Sequence, residues 1–138
     1  MAGGFGNCET RTADPRIVLA EKRSRMCFLN PGKAEVRKIL IDDCVITDGL
    51  RCDYLVIGKD GVEQYVELKG SSVRHALKQV GATITRVSQQ PKTFEKKAYI
   101  ITTRCPIASP ELQTMRKRFK KDYNAMLTMG RSGLEVNV

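Results

Sequence analysis

Two carboxylates and a lysine bracket one short stretch of this chain. Asp53 is followed, after thirteen intervening residues, by Glu67-Leu68-Lys69. Between them two β-rich runs, 54–57 and 62–68, flank Gly58-Lys59-Asp60-Gly61. Gly and Asp supply the positive φ and local hydrogen bonds of a tight hairpin turn. With Lys59-Asp60-Gly61 as the loop and Gly61 left-handed, Asp53 falls directly opposite Glu67, with Cβ atoms about 4.5–5.5 Å apart. Period-two alternation puts Lys69 on the same face as Glu67. Two ionised carboxylates this close repel unless a cation lies between them. Hard oxygen donors suit Mg²⁺ or Mn²⁺, and Mg²⁺ takes one or two protein carboxylates while keeping positions for water and phosphate oxygens. A neighbouring lysine can orient or deprotonate an attacking water. The chemistry these residues suit is metal-assisted phosphodiester hydrolysis.

The flanking elements must hold that hairpin. Residues 1–13 are glycine-rich and aperiodic and read as a loose arm, leaving 14–138 as one domain. Asp14-Pro15 is an N-cap and N1 pair. Ile17, Val18, Glu21, Arg25 and Phe28 then recur near helical spacing, so 15–28 is expected to be a helix stopped by Asn30-Pro31-Gly32. Residues 35–47 read as strand, with Asp42-Asp43 marking a bulge, a bend or a strand end. After Gly70, Ser71 or Ser72 caps a helix whose stripe is Val73, Leu77, Val80, Ile84 and Val87. A Glu95-Lys96-Lys97 turn leads into a buried parallel strand over 98–104. The cluster from Pro106 to Pro110 breaks the chain before a helix over 110–123. The tail reads as a hairpin about Gly-Arg-Ser-Gly or as an edge strand.

Composition points to the partner. A net charge of +9 favours a polyanion, and Arg116, Lys117, Arg118, Lys120 and Lys121 place five bases in six positions of one helix without an acid. Arg74 and Lys78 add to the backbone-binding set. With no Trp, 4 Phe and 4 Tyr, a base-stacking platform for single strands is poorly supported. No apolar run reaches the roughly 20 residues of a membrane span, and no signal-peptide core is seen. Five cysteines without a C-x-x-C pair, together with a single histidine, His75, argue against a Cys/His zinc site. They read as reduced thiols in a cytoplasmic protein.

Asp53 with Glu67-Leu68-Lys69 resembles the Asp…(D/E)-x-K signature of the PD-(D/E)XK nuclease superfamily, with Cys52 in place of the usual preceding proline. The element order over 15–104 is similar to the superfamily's restriction-endonuclease-like αβββαβ core. That resemblance implies an α/β fold, a mixed central sheet flanked by helices, with an extra C-terminal helix and strand. It implies a Mg²⁺- or Mn²⁺-dependent nuclease acting on nucleic acid, DNA first. Asp53, Glu67 and the Leu68 carbonyl would hold the metal, and Lys69 would serve the water. It also implies an auxiliary acid on a leading helix, for which Glu21, Glu35 and Asp43 all remain candidates. Outside the resemblance, Glu21 reads first as an exposed i,i+4 partner of Arg25. Gln79 matches a glutamine that reaches back to the site in exonuclease branches, although the companion tyrosine is Thr83 here. A catalytically silent nucleic-acid-binding or protein-interaction module on the same fold is the alternative. A homodimer or a dedicated partner subunit fits either reading.

Overall fold

A computed structural model describes residues 4–68, 72–102 and 110–138. The central hairpin is β5 (Tyr54–Ile57) and β6 (Glu63–Glu67), antiparallel, with Tyr54 opposite Val66 and Ile57 opposite Glu63. That is the expected register. Gly61 carries φ 77°, and the Asp60 carboxylate accepts the Val62 N–H at 3.0 Å. Turn chemistry sets the pairing here.

β5 and β6 lie within a six-stranded mixed sheet. Its other members are β1 (Glu9–Thr12), β4 (Val36–Leu40), β7 (Lys96–Thr102) and β8 (Ala125–Arg131), in the order β1-β4-β5-β6-β7-β8. Pairing is antiparallel from β1 to β6 and parallel from β6 to β8. The parallel steps run through α1 (Val73–Val87) and α2 (Pro110–Tyr123). Ala76, Val80 and Ile84 of α1 and Phe119 of α2 share one core with Leu55, Tyr65, Ile100 and Leu127. Both crossovers therefore cover the same face, as a common handedness requires. Gly81 of α1 is the close approach: a Cβ there would lie 2.6 Å from the Tyr123 hydroxyl oxygen.

The opposite face is covered by strands. β2 (Arg16–Glu21), β3 (Ser24–Leu29) and β9 (Leu134–Asn137) form a three-stranded sheet, with β2 antiparallel and β9 parallel to β3. Ile17, Leu19, Met26 and Phe28 pack on Val56, Val66, Leu68, Tyr99 and Ile101, with Phe28 edge-on to Tyr99. The molecule is thus an α/β/β sandwich, which corrects two expectations. The helix expected over 15–28 is the β2–β3 hairpin, because Ile17 and Leu19 are buried while Val18 between them is exposed. That is period two, not 3.6. The large sheet is flanked by helices on one face only.

Three smaller corrections follow from pairing. Residues 9–12, inside the stretch read as an arm, form β1 along β4. Lys96, read as part of a turn, opens β7 and is fully buried. Of the two readings of the tail the edge strand holds and the hairpin does not, since β8 and β9 belong to different sheets and β9 lies at the edge of the small one. The cysteine reading also changes: Cys8 and Cys44 form a disulfide, while Cys27 and Cys52 are buried thiols. Cys105 and the breaker residues 106–109 lie outside the described residues. No helix among the described residues is long and apolar enough to cross a membrane.

Candidate active site

The C-terminal ends of β4, β6, β7 and β8 and the start of β5 lie along one edge of the large sheet. In α/β sheets, ligand sites sit outside the carboxyl ends of parallel strands. Asp53 stands at this edge, 6% exposed, and its backbone is held from both sides. Its N–H donates to the Val66 carbonyl at 3.1 Å, and its carbonyl accepts the N–H groups of Ile41 at 2.9 Å and Asp42 at 3.3 Å. Its side chain accepts the Leu68 N–H at 2.7 Å. Glu67, also 6% exposed, ends β6 beside it.

Two further acids arrive from outside the hairpin. β4 ends in a turn in which Asp43 takes φ 59° and Asp42 bridges Ile46. The disulfide from Cys44 to Cys8 ties that turn to the segment before β1. β2 passes above β4 and β5, with Lys38 Nζ donating to the Val18 carbonyl and the Tyr54 hydroxyl to the Ala20 carbonyl. Glu21, on the inward side at the end of β2, is thereby brought to the edge. Carboxylate oxygens of Glu21, Asp42 and Asp53 all lie within 4.8 Å of one another. Burial raises the Asp53 pKa above the ordinary aspartate range, and the charges of Glu21 and Asp42 push it further. The Leu68 N–H and a hydrogen bond with Glu67 offset part of this.

Asp42, Asp53 and Glu67 line a cleft of about 310 Å³, with Arg51, His75 and Gln79. Its far wall is α1, capped by the Ser72 side chain, which accepts the His75 N–H. Gln79 Nε2 donates to the Arg51 carbonyl at 3.1 Å, so Gln79 holds the backbone that leads to Asp53. Arg51 Nε donates to Asp42 at 2.7 Å, fixing that carboxylate.

The chain matches no family model, no curated protein and no solved structure. What the site does must be argued from its groups.

Of the residues singled out from sequence, Asp53, Glu67 and Gln79 line one cleft, and Glu21 reaches the Asp53 carboxylate beside it by way of a strand and not a helix. Glu35 does not: it sits before β4, at the opposite end from Asp42, and pairs with Arg11 at 3.1 Å. Asp43 gives its place to Asp42. Lys69 lies outside the described residues. Arg74 contacts the Glu111 carboxylate, which occupies the guanidinium expected to hold phosphate. Lys78, Arg116, Lys117, Arg118, Lys120 and Lys121 are exposed on the helical layer.

Sequence reasoning missed Asp42, Arg51 and Thr83. The Thr83 hydroxyl donates to the Gln79 carbonyl and accepts the buried Cys52 N–H, both at 2.8 Å. It holds the residue before Asp53. Thr83→Val keeps the shape but strands that N–H, and is expected to cost about 1–3 kcal/mol in thermal denaturation. Thr83→Ser keeps the hydroxyl and should cost clearly less. Equal losses would mean that packing of the Thr83 methyl matters as much as the hydroxyl's hydrogen bonds.

Proposed function

We propose that this protein is a metal-dependent nuclease of the PD-(D/E)XK type, hydrolysing phosphodiester bonds of nucleic acid, DNA first. The observation that carries the reading is the convergence of the Glu21, Asp42 and Asp53 carboxylates, with Glu67 in the same cleft. Three hard oxygen donors within 4.8 Å of one another fit Mg²⁺ or Mn²⁺. The β4-β5-β6-α1-β7 order supports the superfamily reading, and the hairpin that replaces a leading helix departs from it.

In this reading Asp53, Asp42 and Glu21 hold the divalent cation, and Glu67 shares the Asp53 side. Such a cation supplies Lewis-acid polarisation of a phosphoryl oxygen and of a water. Arg51 keeps Asp42 aimed into the cleft and balances part of its charge. Gln79 and Thr83 hold the 51–52 backbone, so the carboxylates need not reorganise when substrate arrives. Lys69, two residues beyond Glu67, orients the attacking water or takes its proton.

Purified protein is expected to cut supercoiled plasmid, linear duplex or single-stranded DNA, or RNA, with Mg²⁺ or Mn²⁺ and not with EDTA. Asp53→Ala and Lys69→Ala, run in parallel, should lose cutting while remaining folded. Cutting that survives both substitutions, or no metal-dependent cutting of any of these substrates, overturns the reading.

A further inference from the structure

The turn beside Glu21 is basic. Lys22 and Arg23 form the tip between β2 and β3, and Arg25 follows on the outward side of β3, opposite Ala20. Arg131 ends β8 at the same edge of the molecule. All four are exposed, and none is ion-paired within the described residues. Their backbone is braced. The Arg25 N–H donates to Ser132 Oγ at 3.0 Å, the Arg25 carbonyl accepts the Gly133 N–H at 2.9 Å, and Ser132 Oγ donates to the Arg23 carbonyl at 3.3 Å.

A bare cationic turn directly against a carboxylate cluster needs an account. If the turn served only to neutralise the acids, its side chains would be paired with them, as Arg51 is with Asp42. Instead four cations are displayed along the rim while Asp42, Asp53 and Glu67 line the cleft. β2 lies over β4 and β5, β3 contacts β7, and the turn after β8 closes the row. The row therefore spans the width from β5 to β8, three strand spacings or roughly 14 Å. One strand of a duplex places phosphates every 3.4 Å or so along its axis, about four over that span.

We infer that the β2–β3 turn with Arg131 is a phosphate-backbone grip that seats a nucleic-acid strand across the acidic cleft. The inference rests on the proposed hydrolytic reading of that cleft. It assigns the primary contact to the strand layer and not to α2, whose bases begin about 9 Å along the helix from its N-terminus and run away from the edge. The grip reads backbone only, so it accepts any base sequence.

The test is fluorescence anisotropy with a short labelled DNA duplex in EDTA, across a salt series, with cleavage in Mg²⁺ measured separately. The triple variant Lys22→Ala/Arg23→Ala/Arg25→Ala should bind about tenfold or more weakly, with the slope of log K against log salt smaller by about 2–3. Lys22→Arg/Arg23→Lys/Arg25→Lys, which keeps the charges, should bind as the parent does. Lys117→Ala/Lys120→Ala/Lys121→Ala should lose less than the turn variant. Unchanged affinity and slope in the alanine turn variant overturn the grip, even if the protein cuts DNA. So does turn-dependent binding to phosphatidylserine vesicles without binding to duplex. Turn-dependent duplex binding without any cleavage supports the grip and overturns only the hydrolytic reading.

Discussion

Asp53→Asn is expected to reduce metal-dependent cleavage by about 100-fold or more and, in the same molecule, to raise the melting temperature of the metal-free protein. The two effects share one cause. The Asp53 carboxylate is buried beside Glu21 and Asp42, and burial followed by those two charges raises its pKa, with the Leu68 N–H and Glu67 offsetting part of it. A folded-state pKa above the unfolded value means that the native state holds more protons between the two. The stability this group contributes therefore falls as pH climbs from the ordinary aspartate range through the raised value. At neutral pH the ionised side chain destabilises the fold. Each pKa unit of elevation is about 1.4 kcal/mol, or roughly 5 °C for a chain of this length. Asparagine retains an oxygen for the Leu68 N–H, adds a donor towards Glu67 and removes the charge. Its thermal advantage should be greatest at neutral pH, shrink in acid and narrow again on adding Mg²⁺, which stabilises the parent by binding its native state. Calorimetry across pH, with and without metal, reads all three. A variant melting at or below the parent at neutral pH in EDTA would show that the acids are not in conflict.

The same conflict predicts how cleavage depends on pH. A cation and a proton compete for Asp53, so apparent metal affinity should rise with pH through the raised Asp53 value and level off above it. Saturating Mg²⁺ should shift the acid limb of the cleavage profile towards lower pH.

How much of this was legible in the sequence depends on the range of the interactions involved. The β5–β6 register followed from Gly58-Lys59-Asp60-Gly61, because a turn fixes which residues face each other. It placed Asp53 beside Glu67. α1 was legible from its stripe and serine cap. The 15–28 segment misled because Ile17, Val18, Glu21, Arg25 and Phe28 fit a helical stripe, while the turn that makes it a hairpin has Lys22 at φ 54° and neither Gly nor Asn. Nothing local announces that turn. Its strands are specified by the apolar face of β5, β6 and β7, which needs a cover. Glu21 was singled out from a helix that does not exist, yet it reaches the site because the inward alternation of Ile17 and Leu19 continues to it. Asp42 could not be separated from Asp43 without the bridge to Ile46 and the hydrogen bond of Asp42 N–H to the Asp53 carbonyl. β1 is four residues long, polar and half exposed, with no pattern to mark it.

The largest stability effect is expected far from the cleft, at Lys96. This lysine is fully buried at the start of β7, where its parallel partner is Glu63, also fully buried. Lys96 Nζ donates to the carbonyls of Gln90 at 2.9 Å, Phe94 at 2.5 Å and Tyr123 at 3.0 Å, using all three of its protons. Tyr123 ends α2, so a cation caps that helix's negative end. Glu63 accepts the Tyr65 hydroxyl at 2.8 Å, and its second oxygen has no hydrogen-bond partner among the described residues. Burial lowers the Lys96 pKa and the charge of Glu63 opposes that. Lys96→Ala would strand the Phe94 and Tyr123 carbonyls, leave that of Gln90 to the Thr93 and Phe94 N–H groups, and leave Glu63 without its compensating charge, a loss of about 3–5 kcal/mol. For a chain of this length that is roughly 10–17 °C in melting temperature. Lys96→Met restores most of the volume and none of the hydrogen bonds, so it should be nearly as damaging. Glu63→Gln added to Lys96→Met should recover part of the loss, because the uncompensated charge goes with it. The coupling in that double-mutant cycle separates charge from packing. Lys96→Met melting close to the parent would mean that the Phe94 and Tyr123 carbonyls find other donors, and that β7 and α2 are joined by their apolar contacts alone.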